Sequence, residues 1–173
     1  MIYLKELTQC DKDKAYEFLT SIKSENGFEN IYENISKEDF VNKALKEREE
    51  SSKGINLKDG YVPDTYFLLF DDNEIVGCFK VRHYLNAYLR NGPGHIGYII
   101  DPKKRNHGYG SRGLKLTLQQ LITMPDFKED EIYFETHLDN KVSQKMILNN
   151  GGYVHHTADK FCYLRIHLNK IQK

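Results

Sequence analysis

The segment Arg105-Asn106-His107-Gly108-Tyr109-Gly110 constrains this chain more than any other. It separates an apolar run with strand character, His95 to Ile100, from an amphipathic run with helical spacing, Ser111 to Ile122. A strand, a basic glycine-punctuated loop and a helix start form a phosphate-binding layout. Glycine has no Cβ, so its backbone can close on a ligand. The first N–H groups of a helix lack internal partners, and the helix dipole adds positive potential there. A pyrophosphate suits such a site. The same glycines would also serve an ordinary turn that caps a helix.

The rest of the chain supplies the elements around that loop. Met1 to Leu7 reads as a short strand. Ala15, Phe18, Leu19 and Ile22 recur at helical spacing within 11–22. Ser36-x-x-Asp39 resembles a capping box and opens a second helix to about Glu50, with Phe40, Val41, Ala44 and Leu45 as its stripe. Glu49 to Gly60 is polar and reads as a loop. Thr65 to Phe70 and Glu74 to His83 read as a β-hairpin across Asp71-Asp72-Asn73. Asn91-Gly92-Pro93-Gly94 breaks the chain before the His95 strand, and Met124-Pro125-Asp126 ends the helix after the loop. Ile132 to His137 alternates as a strand, Asn140 to Asn149 is a short helix stopped by Asn150-Gly151-Gly152, and Tyr153 to His156 and Lys160 to Leu168 are the last two β-runs. The predicted order is β-α-α-β-β-β-α-β-α-β-β, a mixed α/β chain.

Its 173 residues suffice for one domain with a real core, so residues 1–173 are expected to fold as a single unit. The formal net charge is zero, and no global field favours nucleic acid or an anionic membrane. Locally the balance is uneven: five basic residues and no acid lie between Lys103 and Lys115, and the first sixty residues carry thirteen acids against ten bases. Cys10, Cys78 and Cys162 are odd in number and far apart, which suggests neither a disulfide framework nor a zinc site. Reduced thiols in a cytoplasmic protein are the expectation. The N-terminus becomes charged too early for a signal peptide, and no apolar run approaches the ~20 residues that span a bilayer.

Two families use a loop of this kind. Gly108-Tyr109-Gly110-Ser111-Arg112-Gly113 fits G-x-G-x-x-G, the dinucleotide fingerprint. That motif places its first glycine in a tight turn directly after the strand, whereas seven residues, Asp101 to His107, intervene here. Asp130 and Glu131 have roughly the spacing of a ribose-binding acid but precede the next strand. Arg105-x-x-Gly108-x-Gly110 resembles instead the Gln/Arg-x-x-Gly-x-Gly/Ala loop of the GCN5-related N-acetyltransferase (GNAT) family. Asn140-Lys141-Val142-Ser143 followed by Gly151-Gly152-Tyr153 is similar to that family's second signature, Asn-x-x-Ser/Ala with a later glycine and aromatic, here with one extra Gly. The wording around Arg82 to Asn86 and His95 to Tyr98 looks like an uncharacterised bacterial subgroup of acetyltransferases. The resemblance covers most of the chain and is strongest from Tyr66 to Tyr153.

The resemblance implies a fold with a central, mostly antiparallel, twisted sheet of six to seven strands around a β-α-β acetyl-CoA-binding core. It implies that strands 95–100 and 132–137 splay, with the acetyl-pantetheine arm of the cofactor in the gap. Ile99, Ile100 and Asp101 would then meet the arm. Arg105, Asn106, His107, Gly108, Tyr109, Gly110 and Ser111 would cradle the pyrophosphate, and Lys103, Lys104 or Arg105 the 3′-phosphate. Asn140 would bond the pantetheine amide, with Ser143 one turn later on the same face. Asn140 has a second use open to it, as the cap of its helix.

The implied activity is acetyl transfer from acetyl-CoA, without a metal, directly to a primary amine in a ternary complex. The acceptor is a small molecule in the first reading and a peptide or protein amine in the second. The nucleophile must shed a proton to a base titrating near neutral pH. His95 occupies the place of the family's usual glutamate; Glu135 is the second candidate, with His137 and His83 behind. A backbone N–H near Ile100 would meet the oxyanion. The usual acid, a tyrosine seven residues after the motif asparagine, is replaced by Ile147, so Ser143 or Tyr153 would serve, or the thiolate leaves unaided. Segments Phe28 to Asn34, Tyr61 to Asp64 and Tyr84 to Asn91 would build the acceptor pocket. Many relatives form homodimers. Two rivals remain open: an acyl-CoA-binding sensor without catalysis, on the evidence of Ile147, and a dinucleotide-dependent enzyme.

Overall fold

A computed structural model describes residues 1–171. Seven strands form two antiparallel sheets. β1 (Ile2–Glu6), β2 (Asp64–Asp71), β3 (Glu74–Arg82) and β4 (Ile96–Ile100) lie side by side in that order. β5 (Glu131–His137), β6 (Tyr153–Ala158) and β7 (Phe161–His167) form the second sheet, ordered β5-β7-β6. The strand count and mixed class match the expectation. The continuity does not: one sheet was expected, and the chain builds two that meet at a single bridge, Gly94 to Phe134.

α1 (Lys12–Ser21) is capped by Asp11, whose carboxylate accepts from the N–H groups of Asp13 and Lys14. The second predicted helix starts where its capping residue requires, with the Ser36 hydroxyl accepting from Asp39 N–H. It runs as α2 (Lys37–Asp39), a π-helical turn over Phe40–Ala44, and α3 (Leu45–Ser52) without a break. Residues 51–52, expected in a loop, therefore extend this helix. A short helix absent from the predicted order, α4 (Ala87–Arg90), is capped by Asn86 between β3 and β4. α5 (Tyr109–Leu121) follows the glycine loop, and α6 (Lys141–Asn149) follows β5.

Two cores result. Tyr66, Leu68, Phe70 and Cys78, on one face of the first sheet, pack with α1, α3 and the π turn. Phe67, Leu69, Phe79 and Val81, on the opposite face, pack with α5, β5 and β7. α5 seats closely because Gly113 lies on Phe79; a Cβ there would stand 2.5 Å from Cζ of that ring. Among the described residues, no helix is long and apolar enough to cross a membrane.

Candidate active site

Among the described residues, β4 has only one strand partner. Arg82 N–H donates to His95 C=O (2.8 Å) and Asp101 N–H to Val76 C=O (3.0 Å). In an antiparallel ladder every second residue turns both backbone groups to the same neighbour. The register therefore gives Gly97 and Ile99 to β3 and turns the backbone groups of Ile96, Tyr98 and Ile100 toward β5. β5 meets this edge only at its start, where His95 N–H donates to Tyr133 C=O (2.9 Å) and Gly94 bridges Phe134. Beyond that the strands part. The expected splay is present, and it opens a cavity of about 1090 Å³.

The cavity runs from the β4 edge to the start of α5. Asn106 and Gly108 both take left-handed backbone, with φ of 66° and 76°. That conformation swings the chain from the loop into the helix, and glycine accepts it without strain. α5 begins at Tyr109, two residues earlier than the periodicity predicted, with Gly108 as its N-cap. Its first helical bond runs from Arg112 N–H to Gly108 C=O (3.2 Å), so the N–H groups of Tyr109, Gly110 and Ser111 lie outside the helix ladder. The loop is braced from within: the Arg112 guanidinium donates to His107 C=O (2.7 Å), and Tyr109 Oη donates to Asp71 (2.8 Å). Met146 of α6 fills the space a Gly110 side chain would need.

Most residues expected at the cofactor line this cavity: Ile99, Ile100, Arg105, Asn106, Gly108, Tyr109, Gly110, Ser111, Asn140 and Ser143. Their parts differ from the expectation in three ways, and Asn140 takes the cap role left open for it. Ile99 spends its backbone on β3, and Ile100 holds the free edge N–H. Arg105 is ion-paired with Glu25 and also reaches Ile100 C=O. His107 does not line the cavity; its Nδ1 meets the carbonyls of Lys104 and Arg105. Asn140 caps α6, its Oδ1 accepting from Ser143 N–H (3.2 Å), which leaves its amide nitrogen available.

His95 is the clearest correction. It is fully buried, lies outside the cavity, and packs against Phe127 and Tyr133. Tyr133 N–H donates to its Nδ1 (3.0 Å), so that lone pair is occupied. Burial pushes its pKa down to about 3. A base needs access and an affinity for protons, and His95 has neither. Tyr153 is also elsewhere: its hydroxyl donates to Glu131 (2.7 Å), its ring stacks on His167, and it does not line the cavity. His83 is buried against Thr65. Glu135 and His137 do face the cavity, from β5.

The position of the missing acid is explained too. Ile147 is 0 % exposed and belongs to the second core. Tyr98, which sequence reasoning passed over, lines the cavity from β4. Its hydroxyl is buried and unpartnered among the described residues, with the Ser143 hydroxyl as its polar neighbour, and burial pushes its pKa up to about 12.

The other end of the cavity is polar. All three predicted segments reach it, through Phe28, Glu29 and Ile31, through Tyr61, Val62 and Asp64, and through Tyr88 and Leu89. Its floor is the face of β2 and β3, where Asp64 pairs across with Arg82 and Tyr66 with Lys80. Sequence reasoning missed this floor. Its signal was present: Asp64, Tyr66, Lys80 and Arg82 stand two apart on strands whose other same-face residues are apolar.

Comparison with known proteins places this geometry. No curated protein matches the sequence. The N-acetyltransferase PseH of Campylobacter jejuni, solved with acetyl coenzyme A, superposes with a TM-score of 0.64 at 15% identity, over 97% of this chain and 99% of PseH. Apo FdhC, a nucleotide-linked sugar GNAT, gives 0.65 at 14% identity, over 98% and 88%. A chimera of the spermidine N-acetyltransferase SpeG from Vibrio cholerae gives 0.61 at 14% identity, over 98% and 97%. At such identities these likenesses show the fold. The sequence itself matches the acetyltransferase (GNAT) family over residues 28–151, most of its length, and the chain belongs to that family.

Proposed function

We propose that this chain transfers an acetyl group from acetyl-CoA to the primary amine of a small molecule, with both bound at once in the splay cavity. One observation carries the reading. An unpaired strand edge leads straight to unbonded helix N–H groups, in a cavity whose far end is a separate polar chamber. An extended amide-bearing arm can bond the edge as an added strand would, and a pyrophosphate suits the helix start. PseH was solved with acetyl coenzyme A, which supports the cofactor. FdhC and SpeG act on a nucleotide-linked sugar and on spermidine, which supports a small acceptor. Three buried free thiols suit a reducing compartment, and we assign the reaction to the cytoplasm.

Acetyl-CoA supplies the acetyl group as a thioester. Glu135 takes a proton from the acceptor ammonium. The neutral nitrogen attacks the acetyl carbonyl carbon; a C–N bond forms and the C–S bond breaks. A second proton leaves the nitrogen by the same carboxylate, and both pass to solvent. The Ile100 N–H, on the free edge, meets the charge that builds on the carbonyl oxygen. Tyr98, kept protonated by burial, donates a hydrogen bond to the departing sulfur. A thiol is acidic enough to leave ionised. The buried Ile147, which favoured a sensor without catalysis, therefore does not leave the site without a donor.

Isothermal titration with acetyl-CoA, beside NADPH and dephospho-CoA, tests the cofactor. Acetyl-CoA alone should bind tightly, and Gly108→Glu should weaken it; binding of NADPH in its place would return the loop to the dinucleotide reading. In a thiol-release assay over a panel of amines, Glu135→Gln should lower kcat by about 10²-fold or more. Tyr98→Phe should lower it less. Near-normal turnover in Glu135→Gln would remove that residue from the chemistry.

A further inference from the structure

The floor of the polar chamber carries three cations, Arg48, Lys80 and Arg82, around one carboxylate, Asp64, while Glu29 and Glu135 line other walls. Asp64 is 5 % exposed and already saturated. Its Oδ1 accepts from Arg48 (2.8 Å) and from the Ser51 hydroxyl (2.8 Å), and its Oδ2 faces Lys80 at 3.2 Å. One carboxylate thus serves two cations. Arg48 and Lys80 both also lie over the Tyr66 ring, at 5.1 and 5.6 Å.

Arg82 stands next on the same face as a third cation. One of its N–H groups donates to Gly94 C=O (3.1 Å), and no carboxylate comes within ion-pair distance among the described residues. It lines the cavity and is mostly out of water, and that burial pulls its pKa down. A guanidinium in such a place is costly unless an anion meets it. Its planar fork offers several donors, which match a carboxylate or a phosphate in pairs. Lys80 points into the same cavity from the same strand, two residues away. Gly97, beside Lys80 on β4, has no side chain to fill the space over the floor. The carboxylates whose charge reaches Arg82 are Asp64, its cross-strand neighbour, and then Glu135, across the cavity, and neither forms an ion pair with it.

We propose that the acetyl acceptor is an amine that also bears an anion, a carboxylate or a phosphate, bound by Arg82 and Lys80 while its nitrogen lies at Glu135. This rests on the acetyl-transfer reading above. The two ends of the chamber then sort the acceptor by charge: cations on the β3 floor, a carboxylate on β5. A polycation without an anion gains at Glu135 but is repelled at the floor.

The test is a matched panel in the thiol-release assay: glutamate beside its dimethyl ester, glucosamine 6-phosphate beside glucosamine, and spermidine. At least one anionic amine should exceed its neutral partner by 100-fold or more in kcat/KM. The carboxylate and phosphate arms distinguish the two anions. Arg82→Gln retains a donor for Gly94 C=O and loses the charge; it should raise KM for the anionic amine tenfold or more and leave acetyl-CoA affinity unchanged. Arg82→Lys should recover part of the loss. Lys80→Gln repeats the test should the Arg82 variants fold poorly. Preference for spermidine or for the neutral partners, or an equal loss on every acceptor in Arg82→Gln and Lys80→Gln, would overturn the proposal while the acetyltransferase stands. Binding of acetyl-CoA with no transfer to any amine would overturn both.

Discussion

At the residue scale, His95 carries the most testable consequence. Its native pKa is about 3, because burial disfavours the charged ring. In the unfolded chain the same ring titrates near its ordinary value, about 6.5. Between those values the unfolded state holds one proton more than the native state, so stability rises with pH there. The contribution is complete above the unfolded value and is lost as pH falls below it. The slope from this ring alone approaches about 1.4 kcal/mol per pH unit once pH is well under 6.5. Denaturant titrations from pH 7 to pH 4.5 should show the decline, and His95→Asn, which keeps an acceptor for Tyr133 N–H, should flatten it. Equal slopes in both proteins would place the acid sensitivity elsewhere. His95 also shows what sequence could not supply. Its position at a strand start was legible; its inward direction depends on Phe127 and Tyr133, residues remote in the chain that close over it. Arg82 was hidden for the converse reason: a charged residue at a strand end reads as solvated, and only the fold sets it on the cavity floor against Gly94 C=O.

At the element scale, the loop and helix α5 were legible because their determinants are local: glycine conformation, spacing of apolar residues and an N-terminus. The division of the strands into two sheets was not, since it is decided where two distant segments meet. Gly94 is that point. Its φ is +69°, and a Cβ there would overlap the Tyr133 carbonyl. Close approach at Gly94 lets His95 N–H bond β5 once before the strands diverge. Gly94→Ala should therefore destabilise the fold by about 2 kcal/mol or more, from overpacking plus left-handed backbone. Chemical denaturation would measure this. Stability within a few tenths of the parent would mean that the bridge does not hold the two sheets in place. The short helix α4 escaped prediction because four residues are too few to show a helical period, and the extension of α3 to Ser52 because its sequence is polar; Asn86 as a cap and the buried Ser51–Asp64 bond fix them.

At the scale of the whole molecule, the first sheet separates the two cores, and the cavity opens where β4 and β5 part. Its mouth carries the exposed apolar residues Ile31, Tyr61, Tyr88 and Val142, which belong to segments on opposite sides of the opening. A cofactor laid along the β4 edge would supply the strand bonding that β5 leaves unmade, and would cover α5, α6 and the loop 25–31 together. The Glu25 to Arg105 ion pair already ties that loop to the phosphate end. Such a ligand binds the native state alone, because an unfolded chain has neither the edge nor the helix start. At a hundred times its dissociation constant it adds about 2.7 kcal/mol of stability. For a chain of this size that corresponds to a rise in Tm of roughly 5–10 °C. Differential scanning fluorimetry with acetyl-CoA should show the rise, growing with the logarithm of concentration. Gly108→Glu, which puts a carboxylate at the helix start, should abolish it at the same concentrations without lowering the Tm of the free protein by a comparable amount. A rise that persists in Gly108→Glu would mean that the ligand is held away from the α5 terminus. The splay would then have to be explained as packing between the two sheets.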